Sequence, residues 1–378
     1  MRKILAGLLL LISMAASAAA EDHVVLRRNG AEIHVRGKVL SEAQDGGLLV
    51  LAKDGVLWQV LPEELDQRVE DEKPFTPFTQ NEMGQAMLAE LPAGFNVYTT
   101  GHYVICHNTS ESYAKWTGAL FERLYRAFSN YWSRKGFQLH EPELPLVVLV
   151  FDGKASYVRY ASTEIGDSAE NIIGYYNLLT NRVLMYDLTG IQAADPARGR
   201  LRTSAEINRV LAQPEAAALV STVVHEATHQ IAFNCGLQTR LSDVPYWLSE
   251  GIAMYFETPD LNSSRGWRGL GSINRSRLAG FRRYLRSRPA DSLSTLLGSE
   301  DRLRDPKSAP AAYAESWALV YFLTTRYPQQ FVAYLEMMSR KKPLLWKTPE
   351  ERLQQFQDFF GDVAALDEEF VRHMRRMR

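Results

Sequence analysis

Two apolar stretches carry ionisable side chains where an ordinary core helix has none, and they constrain this chain more than any other feature. Residues 216–233 hold His225, Glu226 and His229 among Val220, Val223, Val224 and Ile231. Residues 244–253 hold a single charged residue, Glu250, which twenty positions separate from His229. A helix apolar on all sides is a buried helix. A carboxylate on such a helix is costly unless it is paired or bound to a metal. Histidines four apart lie one turn above each other on one helix face, so both imidazoles reach the same ion. The intervening Glu226 sits about 100° round the helix, within reach of a water beside that ion but outside its ligand set. Glu250 supplies the third ligand. Two histidines and one carboxylate leave the fourth position of zinc open, the catalytic rather than the closed structural arrangement. Zinc lowers the pKa of its water to about 7, so Glu226 can take that proton as general base. The competing reading makes His225 and His229 satisfied core histidines and Glu250 half of an ion pair.

Composition narrows the alternatives. The 378 residues carry 43 Lys+Arg against 44 Asp+Glu and only two cysteines. Near-neutral charge argues against nucleic acid as the main partner. Cys106 and Cys235 are too few for a thiolate zinc site or a disulfide scaffold, and are either two buried free thiols or one pair. Arg2 and Lys3, the apolar run at 4–14, and Ala18, Ala19 and Ala20 read as a secretory signal peptide over residues 1–20. That run is well short of the roughly 20 residues a bilayer span needs. The mature protein is therefore expected to be exported, to the periplasm or the exterior, without a transmembrane segment.

Along the chain, residues 22–72 alternate short apolar runs with Asn29-Gly30, Asp45-Gly46 and Asp54-Gly55. These are hairpin signals, because type I′ turns need positive φ at both central residues. They predict a small SH3-like β-barrel, either a module with an unknown ligand or a packing domain. Residues 73–94 read as a linker, already underway at Asp71, and a short helix with a capping box at Thr79 and Glu82. Strands are expected at 95–99, 102–107 and 146–151, and a hairpin at 172–176 and 182–186. A long amphipathic helix is expected at 111–135, closed by Gly136. From about residue 215 the pattern is helical. The fold class is α+β, with a sheet and zinc-helix subdomain at 95–260 and a helical C-terminal subdomain at 261–378.

The text His225-Glu226-x-x-His229, followed by Trp247-Leu248-Ser249-Glu250-Gly251, resembles the gluzincins, HExxH metallopeptidases whose third zinc ligand is a glutamate. More closely, the chain from about Phe95 onward resembles the uncharacterised bacterial proteins grouped as peptidase MA-like. The resemblance implies a thermolysin-like zincin fold, one zinc ion per chain and a peptide or protein substrate. It also implies a tyrosine that stabilises the oxyanion; the matching text places Tyr313 there, the alternative being that Tyr313 caps a core helix. An edge strand that holds substrate backbone would be the hairpin containing Gly174 and Tyr175, which otherwise reads as an ordinary internal hairpin.

Residues 261–290 contain eight arginines and no acid until Asp291. The segment either lines the cleft and binds an anionic substrate group or forms a solvated helix face. Asn274 and Arg275 are the cleft candidates. The expectation is thus an exported zinc metallopeptidase. The alternative is a non-catalytic, zinc-containing envelope binding protein with a peptidase-like fold.

Overall fold

The computed structural model describes residues 20–192, 203–258, 261, 267 and 270–377. The leader read at 1–20 lies outside the described residues except for Ala20, which begins a strand. Arg265 and Arg268 of the basic segment also lie outside them. The chain divides into two compact units, one of residues up to Lys53 with Trp58–Pro77, the other of Asp54–Leu57 with Phe78–Arg378.

The first unit is a five-stranded sheet built from β1 (Ala20–Arg28), β2 (Ala31–Glu42), β3 (Leu48–Ala52), β4 (Leu57–Val60) and β5 (Leu65–Pro74), in the order β4-β3-β2-β1-β5. β1 pairs antiparallel with both β2 and β5, and β2 with β3. The β1–β2 turn has Asn29 and Gly30 at φ 52° and 78°, the positive pair that Asn-Gly was expected to provide. β4 and β5 stand at the two ends of this strand order. β5 also runs to Pro74, through residues expected to begin a linker. Its burial pattern is polar and exposed almost throughout, so no alternation marks it as a strand.

The second unit is α+β. Its N-terminal half comprises α1 (Gln80–Glu90), β6 (Asn96–Thr99), β7 (Tyr103–His107), α2 (Glu111–Lys135), β8 (Leu146–Phe151), α3 (Lys154–Ile165), β9 (Gly174–Asn177), β10 (Arg182–Tyr186), α4 (Thr189–Gln192) and α5 (Ser204–Leu211). The sheet is mixed, in the order β6-β7-β8-β10-β9, with β7, β8 and β10 parallel and the outer strands antiparallel. The three central strands are buried on both faces, which is why they read as unbroken apolar runs. Ile105, Val148 and Met185 face the main core with α2, while Val104, Leu149 and Leu184 face a smaller core under α1 and α3. Cys106 and Cys235 are both buried and free.

The remainder is helical: α6 (Ala217–Asn234), α7 (Tyr246–Phe256), α8 (Arg275–Tyr284), α9 (Ser292–Gly298), α10 (Asp301–Arg304), α11 (Ala309–Arg326), α12 (Pro328–Ser339), α13 (Pro349–Phe360) and α14 (Val363–Arg376). One core runs from Tyr103 to Met374, so residues of both expected subdomains, 95–260 and 261–378, share it. α7 lies very close to α11, because a Cβ added at Gly251 would come within 2.7 Å of the Ser316 carbonyl oxygen. Among the described residues no helix is long and apolar enough to cross a membrane.

Candidate functional site

α6 is held against the sheet by its apolar residues, and this leaves His225 and His229 stacked on the face toward α7. α7 follows Pro245 and brings Glu250 to the same place. The three groups converge, with candidate donor atoms all within 4.8 Å of one another. His225 Nε2 lies 3.0 Å from Glu250 Oε2, and His229 Nε2 lies 3.4 Å from Glu250 Oε1 and 3.2 Å from His225 Nε2. Both imidazoles therefore aim Nε2 at one point.

Their other nitrogens are engaged separately. His225 Nδ1 lies 3.1 Å from Glu257 Oε2, and His229 Nδ1 lies 3.2 Å from the Ser249 hydroxyl, which itself donates to Gln238 Oε1 at 3.0 Å. Glu257 is in turn held by Asn274 Nδ2 at 2.9 Å and by both Arg277 Nε and Nη2, at 2.8 and 3.2 Å. A partner on Nδ1 fixes the ring and its tautomer and leaves Nε2 for a ligand. Two imidazoles and a carboxylate of this kind suit zinc.

The electrostatics follow from burial and proximity. Burial disfavours charge on His225, but the Glu250 and Glu257 carboxylates outweigh it and push its pKa up to about 10. Burial likewise works against ionised Glu250, yet the two histidines hold it well below the usual carboxylate range. Glu226 moves the other way. Burial raises its pKa, helped by the Glu250 charge and opposed by the histidines and by the Tyr176 amide, which donates to Glu226 Oε2 at 2.8 Å.

Tyr313, on α11, is half-buried, and its hydroxyl is 3.4 Å from that of Tyr246, the first residue of α7. Burial raises the pKa of both phenols, that of Tyr246 to about 12, and the charges of Glu250 and Glu226 raise them further. Both phenols thus stay protonated and able to donate.

Other expected residues fall elsewhere. β9 is an edge strand, as the sequence reading required, but its contact with the site is through Tyr176 rather than Tyr175. The Tyr175 hydroxyl instead donates to Glu164 at 2.7 Å, and its ring packs with the smaller core. Because ladder pairing alternates, the outward Tyr176 amide makes Gly174 the other β9 residue whose backbone faces off the edge. Asn274 is buried and committed to capping α8 and holding Glu257, so it supports His225 and is not free to bind a substrate. Arg275 is exposed and not brought into the cluster; its neighbour Arg277 is the arginine that turns inward. Arg288 is also withdrawn from any cleft, paired with buried Glu315 and with Asp367.

Sequence reasoning gave no site role to Glu257, Ser249 or Tyr246, and reached Tyr176 and Arg277 only as members of the candidate edge strand and the basic segment. For Glu257 a signal was present, since it follows Glu250 by seven residues, two helical turns on one face.

Comparison with known proteins adds little functional information. No curated protein matches the chain significantly. A family model described as a protein of unknown function, DUF1570, matches residues 219–345, a segment that contains His225, Glu226, His229, Glu250, Glu257 and Tyr313, so this part of the chain is similar to that family.

Proposed function

We propose that the protein is a zinc-dependent hydrolase, and specifically a metallopeptidase of the gluzincin type with a thermolysin-like arrangement of sheet and helices. The observation that carries this reading is the convergence of His225 Nε2, His229 Nε2 and one Glu250 carboxylate oxygen on a single point, with each Nδ1 tied to its own partner. These three residues would hold the ion. Zinc so held supplies Lewis acidity toward water and a substrate carbonyl.

The chain's own residues supply the rest of the chemistry. Glu226 stands beside the ligand set, its carboxylate anchored through one oxygen by the Tyr176 amide. Its role is to accept a proton from the attacking water and return it to the leaving amine. Burial pushes its pKa up, which suits a group that must both accept and release a proton. The Tyr313 phenol, kept protonated, would donate a hydrogen bond to the oxyanion as charge develops on it. The outer edge of β9 would align substrate backbone. On this reading the enzyme is exported and its first unit is a small SH3-like module.

A peptide-library digest read by mass spectrometry tests the function. Wild-type protein is expected to cut peptides, to stop when a chelator is added and to resume with zinc. The Glu226→Gln variant is expected to retain zinc and lose about 100-fold or more of the rate. Chelator-resistant cleavage, or undiminished cleavage by Glu226→Gln, would contradict the assignment.

A further inference from the structure

The arginines expected to line a cleft instead build a surface. On and just after α8, Arg275, Arg282, Arg283 and Arg286 are exposed, as are Arg372, Arg375 and Arg376 near the end of α14. The two helices form one face: Phe281 packs on Phe370 with ring centroids 5.2 Å apart, Arg288 pairs with Asp367, and the Arg282 guanidinium donates to the Met377 carbonyl. Along α8 a surface groove of about 570 Å³ is lined by Arg275, Leu278, Ala279, Arg282, Arg283 and Arg286. A second groove of about 580 Å³ takes its cations from Arg372, Arg375 and Arg376, with Val371 between them.

This concentration of charge is not balanced from within. In the same segment Arg277 and Arg288 do have carboxylate partners, Glu257 and Glu315. Among the described residues no carboxylate pairs with the seven exposed arginines; Asp367 is already engaged by Arg288, and Glu368 is the one exposed acid beside the second groove. Like charges this close repel unless an anion covers them. Residues 275–286 extend for roughly 17 Å at 1.5 Å per residue, farther than a single small anion reaches. The guanidinium fork fits phosphate oxygens in pairs. Among the described residues no aromatic side chain lines either groove, so they offer no platform on which nucleic-acid bases would stack. Leu278, Ala279 and Val371 instead give the arginine stems an apolar floor, the pattern of a protein face resting among lipid headgroups.

We propose that the α8–α14 face docks the protein on the anionic phospholipid headgroups of a bilayer, independently of the metal site. Co-sedimentation of the full chain with vesicles tests this. Vesicles of phosphatidylcholine with about 30% phosphatidylglycerol are expected to retain the protein at about 0.1 M salt and release it at about 0.5 M. Vesicles of phosphatidylcholine alone should not retain it. The triple variant Arg283→Glu, Arg286→Glu, Arg376→Glu should bind the anionic vesicles at least about tenfold more weakly. Its thermal unfolding should match wild type, since all three side chains are exposed. A charge-matched control, Lys115→Glu, Arg134→Glu, Lys154→Glu, should bind as wild type does. Equal loss in the control, equal retention by phosphatidylcholine, or tighter arginine-dependent capture of a DNA duplex than of vesicles would each overturn the proposal.

Discussion

His225 is the residue on which the site turns, because each of its nitrogens has a different task. Nε2 faces Glu250 and His229, and Nδ1 is held by Glu257, itself gripped by Arg277 and Asn274. Removing the negative charge at Glu257 while keeping its shape should loosen that ring. We expect Glu257→Gln to lower zinc affinity by about 10–100-fold, measured by competition with a chromophoric chelator, with the fold intact. Unchanged affinity would reduce Glu257 to a packing role. Tyr313→Phe should retain zinc and lower kcat by roughly 100-fold with little change in KM, because a hydrogen bond made to the developing oxyanion acts on the transition state. At this scale the spacing of His225 and His229 was legible in the sequence, since helical period is a local property. Which arginine turns inward was not. That depends on where Leu278 and Phe281 are buried, and their burial places Arg277 against Glu257 and Arg275 in solvent.

Helix contacts set the positions of His225, His229 and Glu250. Gly251 lets α7 approach α11, and this close approach brings Glu250 and Tyr313 into one region. Gly251→Ala forces a methyl against the Ser316 carbonyl and should cost about 1–3 kcal/mol, read from urea unfolding, together with a loss of zinc affinity. The turn between α6 and α7 is fixed by buried Asp243, which pairs with Lys341 at 2.8 Å and with Arg352 at 2.5 Å. Burial opposes ionisation of Asp243, but these cations hold its carboxyl below its ordinary 3.8. A group whose folded pKa is lowered contributes stability above its unfolded value and loses it as pH falls through the folded one. Asp243→Asn should therefore destabilise by about 3–5 kcal/mol at pH 7, and the gap from wild type should shrink in acid below pH 4. A gap independent of pH would show that Asp243 acts through packing alone. Among the elements, α2 was legible from its aromatic stripe and Gly136 cap, whereas β5 was not. It is a charged edge strand joined to the sheet through pairs such as Arg68 with Asp22 at 2.7 Å, and such a strand has no buried face to betray it.

On the scale of the whole molecule, the His225, His229 and Glu250 cluster depends on a core that draws on nearly the entire second unit. α6 rests on the sheet, α7 rests on α6 and α11, and the C-terminal helices close the same core. Sequence separation hides such dependence, so the sequence suggested subdomains meeting near residue 260 where one continuous core is found. The near-neutral total charge concealed structure in the same way. It averages an arginine face on α8 and α14 against acids spread elsewhere. The central claim is that His225, His229 and Glu250 hold one zinc ion and that Glu226 does not. Elemental analysis of purified variants measures this directly. We predict about one zinc per chain in wild type and in Glu226→Gln, and less than about a tenth of that in His225→Ala, His229→Ala and Glu250→Ala, each checked for folding by circular dichroism. Full zinc occupancy in the three folded ligand variants, or loss of zinc in Glu226→Gln, would contradict it.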